Sequence, residues 1–265
     1  MSLLLKSNIE SLTKERLTGN VARIGGLVDQ LIDYSDLNVT DINVLDGGFG
    51  EVLTLKNART IKDFLRVLRL YITQEKIYLK KGARYPRNRK TILLDMHFAT
   101  KSKWLHSKFD HSISSNVLEH SPNIINLLLN FHFITKKDGY QFHAIPHYKY
   151  TYDCFRIPHT LEHFIEDFEN DTGFDDDTHT QDYIQSAIEK HGWQKTFHEK
   201  YPVTYPFLHF HVFDELNVRK LFEYMFEEVV VDVIKTDQFS DILVFCKNQL
   251  NQNFLQNYHG KISKI

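Results

Sequence analysis

Strand-like and helix-like segments alternate along most of this chain, and that alternation constrains its fold more than any other feature. Apolar runs typical of strands occur at residues 20–26, 38–48, 91–95, 109–116 and 139–147. Near the end, a predicted helix over "DELNVRKLFEYMF" precedes two more such runs, "EEVVVDVIK" and "DILVFCK", which a short connection joins. The pattern predicts an α/β fold, with a doubly wound, mainly parallel sheet of seven strands and an antiparallel last strand.

The spacing of apolar residues also predicts four helices before the fifth of these strands. They cover residues 2–17, 27–37, 58–79 and 123–135. In the third helix, one stripe consists of Ile61, Phe64, Leu65, Leu68 and Tyr71. The basic segment 80–90 follows that helix and is predicted to be a solvated loop.

We take residues 1–265 as a single domain with one insertion. The irregular, helix-rich stretch 148–205 is predicted to be a helical insertion, or lid, over the side where an acceptor substrate binds. Inside it, the acidic stretch 168–182 resembles a calcium-binding loop at first sight. Because Phe168 and Thr172 stand where that loop needs acids, a flexible solvated loop is predicted instead.

Charge and cysteine usage exclude several classes of protein. The chain has 32 Lys and Arg against 34 Asp and Glu, so no basic excess is available to bind a nucleic-acid backbone. Its two cysteines, Cys154 and Cys246, do not make a disulfide framework and fit a reducing compartment. The first apolar run is too short for a signal peptide and no segment is long enough to span a bilayer, so we expect a cytoplasmic protein.

Glycines and polar residues stand where the predicted strands end, and doubly wound sheets bind ligands at those carboxyl ends. Glycines after the first strand let the backbone approach a ligand, and an acid after the second suits the two hydroxyls of a ribose. An acid followed by an apolar residue after the third strand suits a base with an exocyclic amine. The predicted nucleoside pocket comprises Gly25, Gly26, Asp41 or Asp46, Asp95, Met96, His97, Ser114, Ser115 and Asn116.

The segment "FDHSISSNVLEHSPNIINLLLNFHFITKKDGYQFHAIP" resembles the region from the fourth to the fifth strand of class I S-adenosylmethionine-dependent methyltransferases. "TILLDMHFA" is similar to the family's adenine-contacting segment, and the likeness runs through residues 91–167 and 206–247. "PHYKYTYDCFRIPHTLEHFIEDF" and "FLHFHVFDELNVRKLFEYMF" resemble a subgroup often encoded among bacterial surface-polysaccharide genes.

That resemblance implies a Rossmann-like methyltransferase fold that uses S-adenosylmethionine and releases S-adenosylhomocysteine. It implies methyl transfer to an oxygen or nitrogen of a small or sugar-like acceptor, such as a precursor of a capsule or surface polysaccharide.

Two segments compete for the family's first cofactor motif, which is an acid followed by a glycine-rich loop. "VARIGGLVD" puts Arg23 where the acid belongs and leaves only two glycines. "VLDGGFGE" supplies Asp46 and a better glycine pattern, but no clear second strand then precedes Asp95. The first alignment is favoured because it supplies both strands in order. The altered motif also leaves open a degenerate, non-catalytic binding or accessory protein of the same fold.

Methyl transfer from a sulfonium needs an acceptor held in line and a base nearby for its proton. His147 is the first candidate for that base and His120 the second, because imidazole titrates near neutral pH and both residues follow strand ends. Further residues are predicted to bind the acceptor, namely His143, Tyr148, Tyr150, Tyr152, Arg156, His209 and His211.

No metal is predicted. Family members that bind a divalent cation beside the Glu-His pair carry an acid three residues earlier, where this chain has Asn116. "HTLEH" is not a zinc-protease motif, because Thr160 stands where the glutamate belongs. A metalloenzyme that uses the many histidines remains as an alternative class.

Overall fold

Seven strands form one sheet in the computed structural model, which describes residues 8–26, 31–43, 60–61, 64–65, 68–69, 72, 86, 88–94, 96–184, 186, 208–235 and 240–264. The strands are β1 (Asn20–Gly25), β2 (Asn38–Asn43), β3 (Asn88–Leu93), β4 (Phe109–Ser115), β5 (Thr135–Pro146), β6 (Val229–Lys235) and β7 (Ser240–Lys247). Their order across the sheet is β3-β2-β1-β4-β5-β7-β6. Strands β1 to β5 pair in parallel, whereas β7 runs antiparallel to both β5 and β6. The predicted fold class is confirmed.

Helices cover both faces of this sheet. Those with described bounds are α1 (Asn8–Arg16), α2 (Ile124–Ile134), α3 (Leu161–Glu169), α4 (Asp177–Ile184), α5 (Glu215–Met225) and α6 (Gln252–Ile262). Along β7, Leu243 and Phe245 pack into the core that α1 covers, and Ile242 and Val244 pack into the core that α2, α3, α5 and α6 cover. Burial on both faces is typical of doubly wound α/β folds. Among the described residues, no helix is long and apolar enough to cross a bilayer.

The segment from β4 to β5 folds as strand, turn, helix and strand, as predicted. The Asn123 side chain accepts a hydrogen bond from the Asn126 N–H and so caps the start of α2. At its other end, α2 passes directly into β5 at Thr135, so the predicted "KKDG" turn lies inside the strand. Gly139 is required there because an added Cβ would lie 2.0 Å from the Asp110 carbonyl oxygen.

The helix predicted at 27–37 is wrong over its described part, because residues 31–37 form turns. The Ser35 N–H donates to the Asp33 side chain, and the Leu37 N–H donates to the Tyr34 carbonyl. Leu31, Ile32, Tyr34 and Leu37 are nevertheless buried in the core beside α1. Their helix-like spacing therefore results from the packing of a turn-rich connection against one face of the sheet.

Other predictions in the first half are partly covered by described residues. In the stretch 58–79, the described positions Ile61, Phe64, Leu65, Leu68, Arg69 and Ile72 are helical, and Ile61 and Leu65 are exposed. The last three residues of the predicted loop 80–90 belong to β3 instead. Asp46, Asp95 and the rest of "VLDGGFGE" lie outside the described residues.

The stretch 148–205 contains a short 3-10 helix (Tyr148–Tyr150) followed by α3 and α4. Part of the acidic stretch predicted as a solvated loop is therefore folded, and His179 in α4 is only 3% exposed. The C-terminal helix α6 was not predicted. It begins at an Asn251 cap and buries Phe254 in the main core.

Candidate active site

The carboxyl ends of β1 and β4 meet where the direction of strand order reverses, which is where doubly wound sheets bind ligands. Gly25 pairs with Ser115, and the Gly26 N–H donates to the Ser115 carbonyl oxygen over 3.0 Å. Gly25 has a φ of +80, and an added Cβ would lie 2.2 Å from that same oxygen. Asn116 follows with a φ of 53 and an exposed side chain. The structure thus brings together Gly25, Gly26, Ser115 and Asn116.

Arg23, which follows the first two apolar residues of β1, forms a buried ion pair with Asp41. The Asp41 side chain is fully buried, and its Oδ1 accepts hydrogen bonds from Arg23 while its Oδ2 accepts one from the Arg89 Nε over 2.8 Å. Arg23 Nη1 also donates to the carbonyl oxygens of Gly25 and Gly26. Both Asp41 oxygens are therefore used inside the sheet, which corrects the expectation that Asp41 holds a ribose.

Ser114 and Met96 were predicted in the nucleoside pocket and His143 was predicted to bind the acceptor, but all three residues lie in the core. Ser114 Oγ is 2.7 Å from His143 Nδ1, and His143 Nε2 is 3.1 Å from the Gln141 side-chain oxygen. Burial among Phe131 and Phe222 lowers the pKa of His143 to about 3, so this histidine is neutral. Neither Ser114 nor His143 is solvent-exposed, and both are better described as a satisfied polar pair of the core.

His97 is half-buried beside the turn that follows β4. Its Nε2 lies 2.9 Å from the Ser121 hydroxyl, and its ring meets the edge of Phe174. It therefore packs against the segment next to Glu119 and His120, whereas Met96, one residue earlier, is only 1% exposed.

The short 3-10 helix Leu118–His120 places a glutamate and a histidine directly after the exposed Asn116. Glu119 is 1% exposed, one of its carboxylate oxygens has no hydrogen-bond partner, and burial raises its pKa to about 7. His120 Nδ1 lies 3.0 Å from the Leu208 carbonyl, so Nδ1 carries the proton and Nε2 does not. Burial also lowers the pKa of His120 to about 4.

His209 completes this group from the segment that begins at residue 208. Ligand atoms of Glu119, His120 and His209 all lie within 4.8 Å of one another, and the two imidazole rings meet edge to face. His209 Nδ1 is 2.6 Å from Asp153 Oδ2, which orients the ring as a carboxylate orients a catalytic histidine. Although burial opposes ionisation, hydrogen bonds from His209 and Arg156 hold the pKa of Asp153 below its usual value.

Two more residues that were predicted to bind the acceptor substrate lie next to His209. Tyr152 lies beside it, with ring centroids 4.5 Å apart, and burial raises the pKa of Tyr152. Arg156 is 4% exposed, donates to the carbonyl oxygens of His209 and Phe210, and pairs with Asp153. Arg156 therefore holds the backbone that carries His209. This corrects the expectation that Arg156 binds the acceptor substrate, because its guanidinium makes its hydrogen bonds inside the protein.

His147 lies in a different environment at the end of β5. Its N–H donates to the Ser240 carbonyl, its Nδ1 accepts from the Lys149 N–H, and its ring stacks on Tyr148. The ring of Tyr150 lies 6.0 Å from His147 and under the Lys235 ammonium. The two candidate bases, His147 and His120, therefore have different neighbours. Of the two, His120 is the one whose ring contacts His209.

His209 and His211 were both predicted to bind the acceptor, but their side chains join different groups. His211 Nδ1 lies 2.8 Å from the Ser121 carbonyl, and its Nε2 lies 2.9 Å from Asp167 Oδ2. There it meets His163 and His179, with ligand atoms of all four residues within 4.8 Å. The sequence analysis missed this group. Its one local signal is the pair His163 and Asp167, which lie one helical turn apart.

Comparison with known proteins finds solved structures that align with most of this chain at low sequence identity. The trans-methyltransferase CalH in complex with S-adenosylhomocysteine aligns at 11% identity and a TM-score of 0.43, over 90% of this chain and 54% of that chain. The methyltransferase domain of the citrinin polyketide synthase aligns at 10% identity and 0.43, over 88% and 47%. An S-adenosylmethionine-dependent methyltransferase from Methanosarcina mazei aligns at 10% identity and 0.43, over 88% and 93%.

This chain spans about half the length of the first two structures. No protein-family model and no curated protein matches it.

Proposed function

We propose that this chain is an S-adenosylmethionine-dependent methyltransferase that acts on an oxygen or nitrogen of a small or sugar-like acceptor. The observation that supports it best is the close meeting of Gly25 and Gly26 with Ser115 at the switch point of a seven-stranded sheet. An unhindered backbone at that point is what the methionine part of the cofactor needs.

The residues around this point fit the cofactor in part. Gly26 and Asn116 are exposed at the sheet edge and would hold the methionine part, with Ser115 beneath them. Asp46 and Asp95 remain the proposed partners of the ribose and the adenine amine, because Asp41 is taken by two arginines. When bound, the cofactor supplies a methyl group that its sulfonium has already activated.

His209 and His120 are the proposed bases, in that order. The Nδ1 of each histidine faces a hydrogen-bond acceptor, which is the Asp153 carboxylate for His209 and the Leu208 carbonyl for His120. The unprotonated Nε2 of each ring is therefore available to take a proton from the substrate. An acceptor hydroxyl or ammonium placed between Asn116 and these rings would lose its proton to Nε2, while Asp153 stabilises the imidazolium of His209. His147 is retained as the alternative base.

The acceptor is proposed to be a sugar-containing precursor of a capsule or surface polysaccharide. This finer assignment depends on the sequence resemblance of 207–226 and of the stretch around Tyr148 and Tyr150. Those two tyrosines are half-buried and flank His147, and aromatic faces of this kind suit the apolar face of a sugar ring.

A specific observation also favours a second function, a non-catalytic protein of the same fold. Arg23 replaces the acid of the first motif and donates to the carbonyl oxygens of the glycine turn. A turn held in this way could have lost the cofactor and kept only a role as a binding or accessory subunit.

Ultraviolet cross-linking with methyl-labelled S-adenosylmethionine tests the proposal without knowledge of the acceptor. We expect labelled peptides that contain Gly26 or Asn116, with labelling suppressed by excess S-adenosylhomocysteine. Absence of label, or label that the excess product does not displace, would support the non-catalytic alternative.

A further inference from the structure

Four side chains from three separate segments converge on one point beside the candidate active site. His163 and Asp167 come from α3, His179 comes from α4, and His211 comes from the segment that begins at residue 208. Asp167 Oδ2 lies 2.9 Å from His211 Nε2, 3.3 Å from His163 Nε2 and 3.6 Å from His179 Nε2. His163 Nε2 and His179 Nε2 are 3.0 Å apart.

The protons of these groups do not account for such short contacts. His211 Nδ1 faces the Ser121 carbonyl, which only accepts, so Nδ1 carries the hydrogen and Nε2 of the neutral ring is a bare acceptor. His179 Nδ1 is 2.5 Å from the Asp176 carboxylate, which assigns its tautomer in the same way. Neutral His163 can offer a proton to one neighbour only. The contact between His211 Nε2 and Asp167 Oδ2 then joins two acceptors at 2.9 Å, which needs a cation or an added proton between them.

The spacing of the four atoms matches the ligand shell of a tetrahedral metal. Zinc binds imidazole nitrogen and carboxylate oxygen at about 2.0–2.2 Å, so ligand atoms of a tetrahedral site lie roughly 3.3–3.5 Å apart. Four of the six separations run from 2.9 to 3.6 Å, and all six ligand-atom pairs lie within 4.8 Å. Three nitrogens and one oxygen suit zinc or a similar divalent transition metal, whereas calcium and magnesium prefer shells of oxygen alone.

Supporting contacts of the kind found around metal sites are also present. Asp176 and the Ser121 carbonyl hold the outer nitrogens of His179 and His211, as carboxylates and carbonyls commonly do for metal-bound imidazoles. His211 is 1% exposed and His179 is 3% exposed, and the rings of Phe164 and Phe210 pack against them. The site is therefore closed on most sides, which is typical of structural zinc.

We propose that His163, Asp167, His179 and His211 form a structural site for a zinc ion. The ion would join α3 and α4 to the segment from residue 208, which also carries His209 of the candidate active site. Because the Phe210 N–H donates to the Glu119 carbonyl, the same ion would fix this segment against the turn after β4. The prediction that the chain holds no metal is thereby revised.

Metal analysis of the full chain, purified without an affinity histidine tag and without chelator, tests this site. We expect inductively coupled plasma mass spectrometry to find one zinc ion per chain. Removal of the metal should lower the unfolding temperature. Cobalt added to the metal-free chain should give the intense visible absorption of a tetrahedral site. This spectrum needs no variant, so it remains informative even if the variants fail to fold.

Two variants remove single ligands, Asp167→Asn and His179→Gln, and both should lose the zinc ion and the cobalt spectrum. The matched control is His120→Gln, which alters the neighbouring group of Glu119 and His209 and should keep both. Retention of zinc in the ligand variants, or its loss in the control alone, would place the metal elsewhere. A wild-type chain that takes up neither zinc nor cobalt would overturn the proposal and leave a protonated histidine as the counter-ion of Asp167.

Discussion

Asp41→Asn removes the buried carboxylate that pairs with both Arg23 and Arg89. The Asp41 side chain is 0% exposed and those of Arg23 and Arg89 are 1% and 6% exposed, at distances of 2.6 and 2.8 Å. Breaking a buried pair by removing one partner typically costs about 3–5 kcal/mol, because the remaining charges stay buried and lose their attraction to that partner. We expect a loss of that order in the free energy of unfolding.

Urea unfolding followed by circular dichroism gives this free energy directly, with an unchanged m-value as the sign that the folded state is intact. The matched control is Glu228→Gln, which removes the exposed pair with Lys247 and should cost less than about 1 kcal/mol. If both variants lost the same small amount of unfolding free energy, the ion pairs of Asp41 with the two arginines would not contribute to stability as proposed. If Asp41→Asn instead lost only affinity for S-adenosylhomocysteine, Asp41 would be the ribose acid after all.

Three further variants test other parts of the fold. His143 has a pKa of about 3 against 6.5 in the unfolded chain, so the unfolded state gains protons first and stability falls as pH drops from 6.5 toward 3. The free energy of unfolding, measured in urea at several pH values, should fall with pH less steeply in His143→Gln than in the wild type, by about 1.4 kcal/mol per pH unit. The same slope in both proteins would contradict the low pKa of His143. Gly139→Ala puts a Cβ 2.0 Å from the Asp110 carbonyl and should lower the melting temperature more than Gly260→Ala, whose Cβ meets nothing within 4 Å. Asn123→Ala removes the cap of α2 and should cost about 1 kcal/mol in the same assay; no change would show that the cap is dispensable.

The strands could be predicted where a short apolar run is bounded by polar residues. In β7, successive side chains enter opposite cores, so the run "ILVFC" is apolar throughout and marks a strand buried on both faces. The connection 31–37 misled because a turn that buries Leu31, Ile32 and Tyr34 has the same apolar spacing as a helix. Helix α6 was missed because it is mostly polar and is anchored chiefly by Phe254.

The candidate site was harder to predict because it depends on side chains far apart in sequence. Position at a strand end was enough to predict that Gly25, Gly26 and Asn116 lie close together, since register along the sheet follows from the strands. Whether a polar residue faces a ligand or a neighbour inside the protein does not follow from position alone. Asp41 is held by an arginine from each neighbouring strand, and His143 is held by Ser114 on the next strand.

The group of His163, Asp167, His179 and His211 shows the same limit. The first two residues have helical spacing, but His179 and His211 reach them only through the packing of α4 and of the segment from residue 208. Motif comparison rejected a zinc protease for a sound reason, the Thr160 in "HTLEH", and then had no pattern for ligands spread over three segments.

Calorimetric titration of the purified full chain with S-adenosylhomocysteine is the most direct test of the proposed methyltransferase site. The account predicts saturable binding in the range of about 1–100 μM, typical of small-molecule sites, and its loss in Gly26→Val, whose Cβ would lie 3.2 Å from Ser115 Oγ. Gly260→Ala, far from any such contact, should bind like the wild type. A wild-type chain that is folded yet binds no S-adenosylhomocysteine at any reachable concentration would contradict the account and favour the non-catalytic function.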